Sequence, residues 1–252
     1  MRSSLLVCRG VLVAEVFFIF LQSRPASATG PGEKESLAQE VAVLFRSARG
    51  VISDNQGLIN DPAKGDKGLS GGKVIAGAKE KYTKATGRPV PPEDKDSLAG
   101  QSWAAMFAAV TEVMDQAQPL INEPGKSFKG FLPAVFGKQV ADRFSKRMEG
   151  KLAIKLTAPP AYIRNRSNRP DPWEAKVLGA KFASAGWEKN KAFGEMTTRD
   201  GHEAFRLMLP EYYVESCMSC HGEPKGERDI SGGKKEGAKL GELGGAISVT
   251  VY

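Results

Sequence analysis

The sequence predicts an α+β protein in which helices come first and an antiparallel sheet follows. Three patterns predict it. Apolar residues recur at helical spacing through the first half, the period falls to two after Gly150, and Asp200-Gly201 between two alternating runs is a hairpin turn signal.

The first thirty residues, MRSSLLVCRGVLVAEVFFIFLQSRPASATG, set Arg2 and Arg9 ahead of an apolar stretch from Gly10 to Leu21 and end in Ala26-Ser27-Ala28. That is the layout of a signal peptide cleaved after Ala28, and twelve residues interrupted by Glu15 are too few to span a bilayer. The expected location is the periplasm, with no membrane span in the mature chain. Cleavage also removes Cys8, so Cys217 and Cys220 become the only thiols of a 224-residue product and no disulfide framework is possible. Net charge falls from +7 to about +5, spread over Lys-Gly stretches, which lacks the dense aromatic-interleaved patch of a nucleic-acid binder.

From Leu37 the positions Val41, Leu44, Phe45, Ala48, Val51 and Ile52 trace one face of a helix. That helix closes in VISDNQGLINDPAKGDKG, and 62 residues later the chain reads VMDQAQPLINEPGKSFKG. The match predicts an internal duplication of helix, loop and helix over 33–94 and 97–150, with RPVPPEDKD as linker, so that helices over 33–60 and 97–122 are pseudo-equivalent. The stripe Trp103, Met106, Phe107, Val110, Met114 is then core first and cofactor wall second. On this reading residues 29–130 form a helical region and 131–252 a sheet domain.

Leu152, Ile154 and Leu156 alternate with polar neighbours as a strand should. Asp171-Pro172 with Glu174 is a capping box opening a helix expected to run to about Gly186. Residues 191–198 and 203–213 form the hairpin, and Ile247, Val249 and Val251 alternate in a closing strand.

Within this frame sits CMSCHG, residues 217 to 222. A Cys-x-x-Cys serves a redox dithiol, half a zinc site, or the thioether bonds of a c-type haem. Zinc would need His202, which lies at the far end of the preceding strand, roughly 30 Å away if extended. A dithiol prefers a helix N-terminus, and Gly222, Pro224 and Gly226 block a helix after the motif. Haem attachment needs two free thiols, export, and a histidine directly after the second cysteine, and all three are present. Zinc and dithiol stay as lesser alternatives. Tyr212 and Tyr213 suit a porphyrin wall, with ordinary packing of a strand end as the other reading. Arg164, Arg166 and Arg169 offer a clamp for haem propionates or a solvated capping loop. Lys225, Lys234, Lys235 and Lys239 lie in Gly-rich sequence after the motif, either simply facing solvent or forming a basic rim that would steer an acidic redox partner. No Ser-His-Asp set, carboxylate pair or distal His-Arg pair can be assembled, which leaves peroxidase-type catalysis as the weakest reading.

The segments RNRSNRPDPWE, FRLMLPEYYVESCMSCHG and GELGGAISV, taken in order, resemble an exported PAS-like haem-binding family long catalogued as a domain of unknown function. The resemblance covers about residues 128 to 252. It implies a PAS-like antiparallel sheet domain carrying one covalent haem c on Cys217 and Cys220, with His221 as the iron's proximal ligand. The cyanobacterial type member takes its sixth ligand from a cysteine on the helix before the first strand. The corresponding FLPAVFGKQVADRF has none, so that ligation does not carry over, and the distal site is expected to be open or closed by Met106, Met114 or Met148. The resemblance implies no single role; the expected function is a redox or small-ligand sensor, which needs a membrane-bound signalling partner, or else an electron carrier, which needs a redox partner. The sequence fixes no oligomeric state.

Overall fold

The computed structural model describes residues 30–92 and 94–252, and the leader expected at 1–28 lies outside them. Helix α1 (Pro31–Asp54) starts on a proline, whose fixed φ suits the first helical position, and buries the whole predicted stripe from Leu37 to Ile52. The expected helix over 33–60 breaks at Asn55, and a single turn, α2 (Gln56–Ile59), completes it. Ser70 caps α3 (Gly71–Thr86) by accepting the Lys73 N–H. Ser97 does the same for α4 (Leu98–Ile121) from Gly100. Helix α5 (Pro133–Arg147) again begins on proline and buries Phe136, Val140 and Phe144.

Four strands follow: β1 (Leu152–Thr157), β2 (Phe193–Arg199), β3 (His202–Tyr212) and β4 (Leu243–Val251). They pair antiparallel throughout in the order β1-β4-β3-β2, which puts the last strand between the first and the third. Asp200 (φ 52°) and Gly201 (φ 82°) make the hairpin turn with both residues left-handed, as a twist-matched two-residue turn requires.

The sheet's two faces are buried against different partners. Leu152, Ile154, Leu207, Leu209, Ile247 and Val249 merge with the apolar faces of α1, α4 and α5 into one core. Helical region and sheet therefore share their interior across the 130/131 boundary. Trp103, Met106, Phe107, Val110 and Met114 all belong to that core, none more than 8% exposed.

The other face carries α6 (Pro172–Lys176), which continues as a π-helical turn over Val177–Phe182. The capping box forms as expected: Asp171 accepts the Glu174 N–H at 2.9 Å and Glu174 accepts the Asp171 N–H at 3.0 Å. The element ends at Phe182, short of the expected Gly186. There the Ser184 hydroxyl bonds back to the Lys181 carbonyl, and Trp187 folds its ring onto Phe182 at 5.5 Å between centroids. Beneath α6 the buried Arg206 donates to Asp171 at 2.6 Å and lies 4.3 Å from the Trp173 ring, which ties the helix to β3.

Candidate functional site

Strand β3 ends at Tyr212, and two residues later the chain turns into α7 (Glu215–His221). The whole Cys-x-x-Cys-His motif is helical. The glycines and proline after it stop the helix at Gly222 but do not prevent it, so the sequence argument against a helix holds only beyond His221. Cys217 and Cys220, three residues apart, lie on one side of α7. Both thiols are free and partly exposed.

The base of this helix is anchored to the helical layer. Arg46 and Arg49 of α1 meet the Glu211 carboxylate at 2.5 and 2.8 Å, and Arg46 also donates to the Pro210 carbonyl. Burial alone would raise the Glu211 pKa, but the charges of Arg49 and Arg46 outweigh it and hold the group below the usual carboxylate range. One turn on, the hydroxyls of Ser53 and Ser216 lie 3.5 Å apart.

His221 is held on three sides. Its Nδ1 lies 2.8 Å from Glu236 Oε2, its carbonyl accepts the Ala238 N–H at 2.8 Å, and its ring packs against Tyr213 at 5.1 Å between centroids. Tyr213 in turn meets Tyr162 edge-on at 5.5 Å, and the Tyr162 hydroxyl donates to Glu242 at 2.6 Å. Burial raises the Tyr213 phenol, while burial and the Glu242 bond push Tyr162 up to about 12, so both rings are neutral at physiological pH. Gly244 makes room for this stack, because a Cβ there would come within 2.9 Å of the Tyr213 ring.

Arg164 reaches the same place from the loop after β1. It takes both oxygens of Glu236, pairs with the fully buried carboxylate of Asp229, and donates to the carbonyls of Cys220 at 2.6 Å and Lys234 at 3.1 Å. Asp229 would be raised by burial, yet the bonds from Ser231 and Arg164 lower it to about 2. Glu236 is lowered for the same reason: the bonds from Arg164 and His221 outweigh its burial. The Arg164 guanidinium is thus taken up by protein acceptors while part of the side chain stays exposed. Through the Cys220 carbonyl it also holds α7. Arg166 is exposed on a 3₁₀ turn, Arg166–Asn168.

The structure thus brings together Arg164, Tyr213, Cys217, Cys220 and His221, and separates Tyr212 from them. Tyr212 faces a cavity of about 640 Å³ between the sheet and α6, along with Leu178, Phe182, Trp187, Lys189 and Leu243; neither thiol nor His221 lines it. His202 opens β3 at the far end of the strand, as the zinc argument required. Among the described residues no cluster of three or more His, Cys, Asp or Glu is placed to hold a metal ion, and no helix is long and apolar enough to cross a membrane. Sequence reasoning missed Tyr162, Glu236 and Glu242. Their only local signals are a tyrosine after two prolines and carboxylates set among lysines and glycines.

These residues fit a haem. A c-type haem would take two thiols and one imidazole from the protein, and α7 carries that set with Nδ1 engaged by Glu236, so that Nε2 would be the nitrogen offered to an iron.

The class these features define is an α+β protein with a Cys-x-x-Cys-His helix at the end of one strand of a four-stranded antiparallel sheet. The sequence matches the Tll0287-like family over residues 73–251, and the chain belongs to that family. No curated protein and no solved structure matches it.

Proposed function

We propose that this is an exported c-type haem protein that senses redox state or a small ligand through its haem iron. Cys217 and Cys220 would carry the two thioether bonds of a single haem, and His221 would be the proximal ligand. The observation that carries this reading is that His221, with its Nδ1 held by Glu236, lies on the same short helix as two free thiols. Family membership and the expected leader agree with it, and the leader makes the periplasm the proposed location. Once bound, the haem supplies an iron centre for electron exchange or ligand capture. The chain's own residues orient the imidazole and anchor the helix that bears it.

The methionines support sensing. Met106, Met114 and Met148 are packed in the helical core at 1%, 0% and 3% exposure, which argues for a distal site open to small ligands. A sensor of this kind would act through a membrane-bound signalling partner. Electron transfer is the second reading. Exposed Lys225, Lys234 and Lys239 follow the motif and suit an acidic redox partner, while Lys235 is half-buried and paired with Glu227.

Expression with a c-type maturation system tests the reading. Colour should stay with the protein on a denaturing gel, with a c-type pyridine haemochrome. Colour that remains covalently attached in the Cys217→Ser/Cys220→Ser protein would refute it.

A further inference from the structure

We propose that Glu236 is the positioning residue for His221, and that Arg164 fixes Glu236 and the attachment helix as one unit. This rests on the haem reading above, but its first test does not.

A neutral imidazole carries its one N–H on either nitrogen, and free in water it prefers neither strongly enough for a site that needs one of them bare. At 2.8 Å from Nδ1, a carboxylate that only accepts places the proton on Nδ1 and leaves Nε2 as a lone pair. The same bond stops rotation about the last side-chain torsion. Glu236 can do this only if it is itself immobile, and its side chain is 12% exposed. Arg164 takes both its oxygens in a fork, the geometry that fixes a carboxylate in plane. The guanidinium is locked from behind by Asp229, which in turn accepts from the Ser231 hydroxyl and N–H at 2.5 and 2.7 Å.

One further bond turns this chain into a single device. Arg164 also donates to the Cys220 carbonyl at 2.6 Å, so the group that orients the histidine's partner holds the helix at the second thiol. Imidazole, thiol-bearing backbone and carboxylate therefore share one reference point, contributed by a loop 56 residues earlier in the chain. Gly233 permits the approach, since a Cβ there would lie 3.1 Å from the guanidinium. A carboxylate partner also makes an imidazole a stronger donor to a metal, which favours the ferric state.

The first experiment uses the full chain in its Cys217→Ser/Cys220→Ser form, which holds no covalent haem, at a pH where the ring is neutral. Nitrogen-15 spectra should show His221 with its proton on Nδ1. Adding Glu236→Leu should return the ring to the mixture of tautomers seen in a free imidazole, whereas Glu236→Gln, which keeps an acceptor, should preserve the Nδ1–H form. An unchanged tautomer in Glu236→Leu overturns the proposal. The second experiment uses the haem-loaded protein. Loss of the carboxylate charge in Glu236→Gln should move the reduction potential upward by about 59 mV, a tenfold change in a one-electron equilibrium. Arg164→Gln is read by the tautomer instead, since removing its cation would itself move the potential the other way: in the haem-free protein it should return the ring toward the tautomer mixture. A potential unmoved in Glu236→Gln would also overturn the proposal. If no covalent haem forms while the tautomer result holds, the haem reading falls and the positioning role stands.

Discussion

Asn60 accepts the backbone N–H of Lys129 at 3.1 Å, and Asn122, 62 positions later, accepts that of Lys67 at 3.0 Å. The two asparagines have nearly the same backbone, φ −87° and ψ 0° against φ −92° and ψ −1°. The glutamines four residues before them repeat the exchange: Gln56 donates to the Phe131 carbonyl and Gln118 to that of Leu69. The buried ammonium groups correspond too, each within its own loop, Lys67 on the Asp61 carbonyl and Lys129 on the Glu123 carbonyl. Each loop is closed by the other's side chains. Asn60→Ala and Asn122→Ala should therefore cost similar amounts, about 1–3 kcal/mol each, because each strands a backbone donor of a buried residue. Urea midpoints measure this, and a cost confined to one of the two would contradict the reciprocity.

Glu211 gives the fold an acid limit. Its pKa is lower folded than unfolded, as are those of Asp171, Asp229 and Glu236. Such groups bind fewer protons in the native state, so their contribution is full above the ordinary carboxylate range and is lost as pH falls through the folded values. Stability should hold steady from neutrality to about pH 5 and decline toward pH 2. Glu211→Gln should lower stability at pH 7 by about 1–3 kcal/mol, less than a fully buried pair because a quarter of the side chain sees solvent, and should flatten the acid limb. An acid limb as steep as that of the unaltered protein would count against this role.

The core methionines should be silent in the haem spectrum. Met106→Leu, Met114→Leu and Met148→Leu conserve volume and should cost less than about 1.5 kcal/mol each. None should alter the ferric or ferrous bands, and the reduced protein should bind carbon monoxide rapidly. Loss of a charge-transfer band in any one of them would identify a methionine ligand and favour electron transfer.

His202→Ala should leave the same spectra unchanged. The eleven residues of β3 separate it from Tyr212 by roughly 30 Å at the usual rise. An altered ferric spectrum would mean that the histidine reaches the iron after all.

The sequence revealed what local rules govern. The stripe of α1, the left-handed pair Asp200-Gly201, the Asp171 capping box and the alternation of β4 are each set by neighbours a few residues apart. The motif cysteines were legible for the same reason, since their chemistry lies in one five-residue string. Glu236 was not, because it stands among lysines and acquires meaning only when Arg164, 72 residues away, closes on it. Nor does the sequence show what Arg164 binds, because its carboxylate partners Asp229 and Glu236 lie on a loop whose path no periodicity encodes. The early end of α6 likewise depends on Trp187 turning back, a tertiary contact that overrides helix propensity.

The central position of β4 has a consequence for the order in which the molecule can be assembled. A chain is made from its N-terminus, and β1 and β3 have no common neighbour until Leu243–Val251 arrives between them. Every residue through His221 is therefore synthesised while the sheet is still two unjoined pieces. The segment bearing the thiols remains a tail tethered at one end, open to any enzyme that must grip it. Only when the last nine-residue strand inserts does that tail become a closed loop.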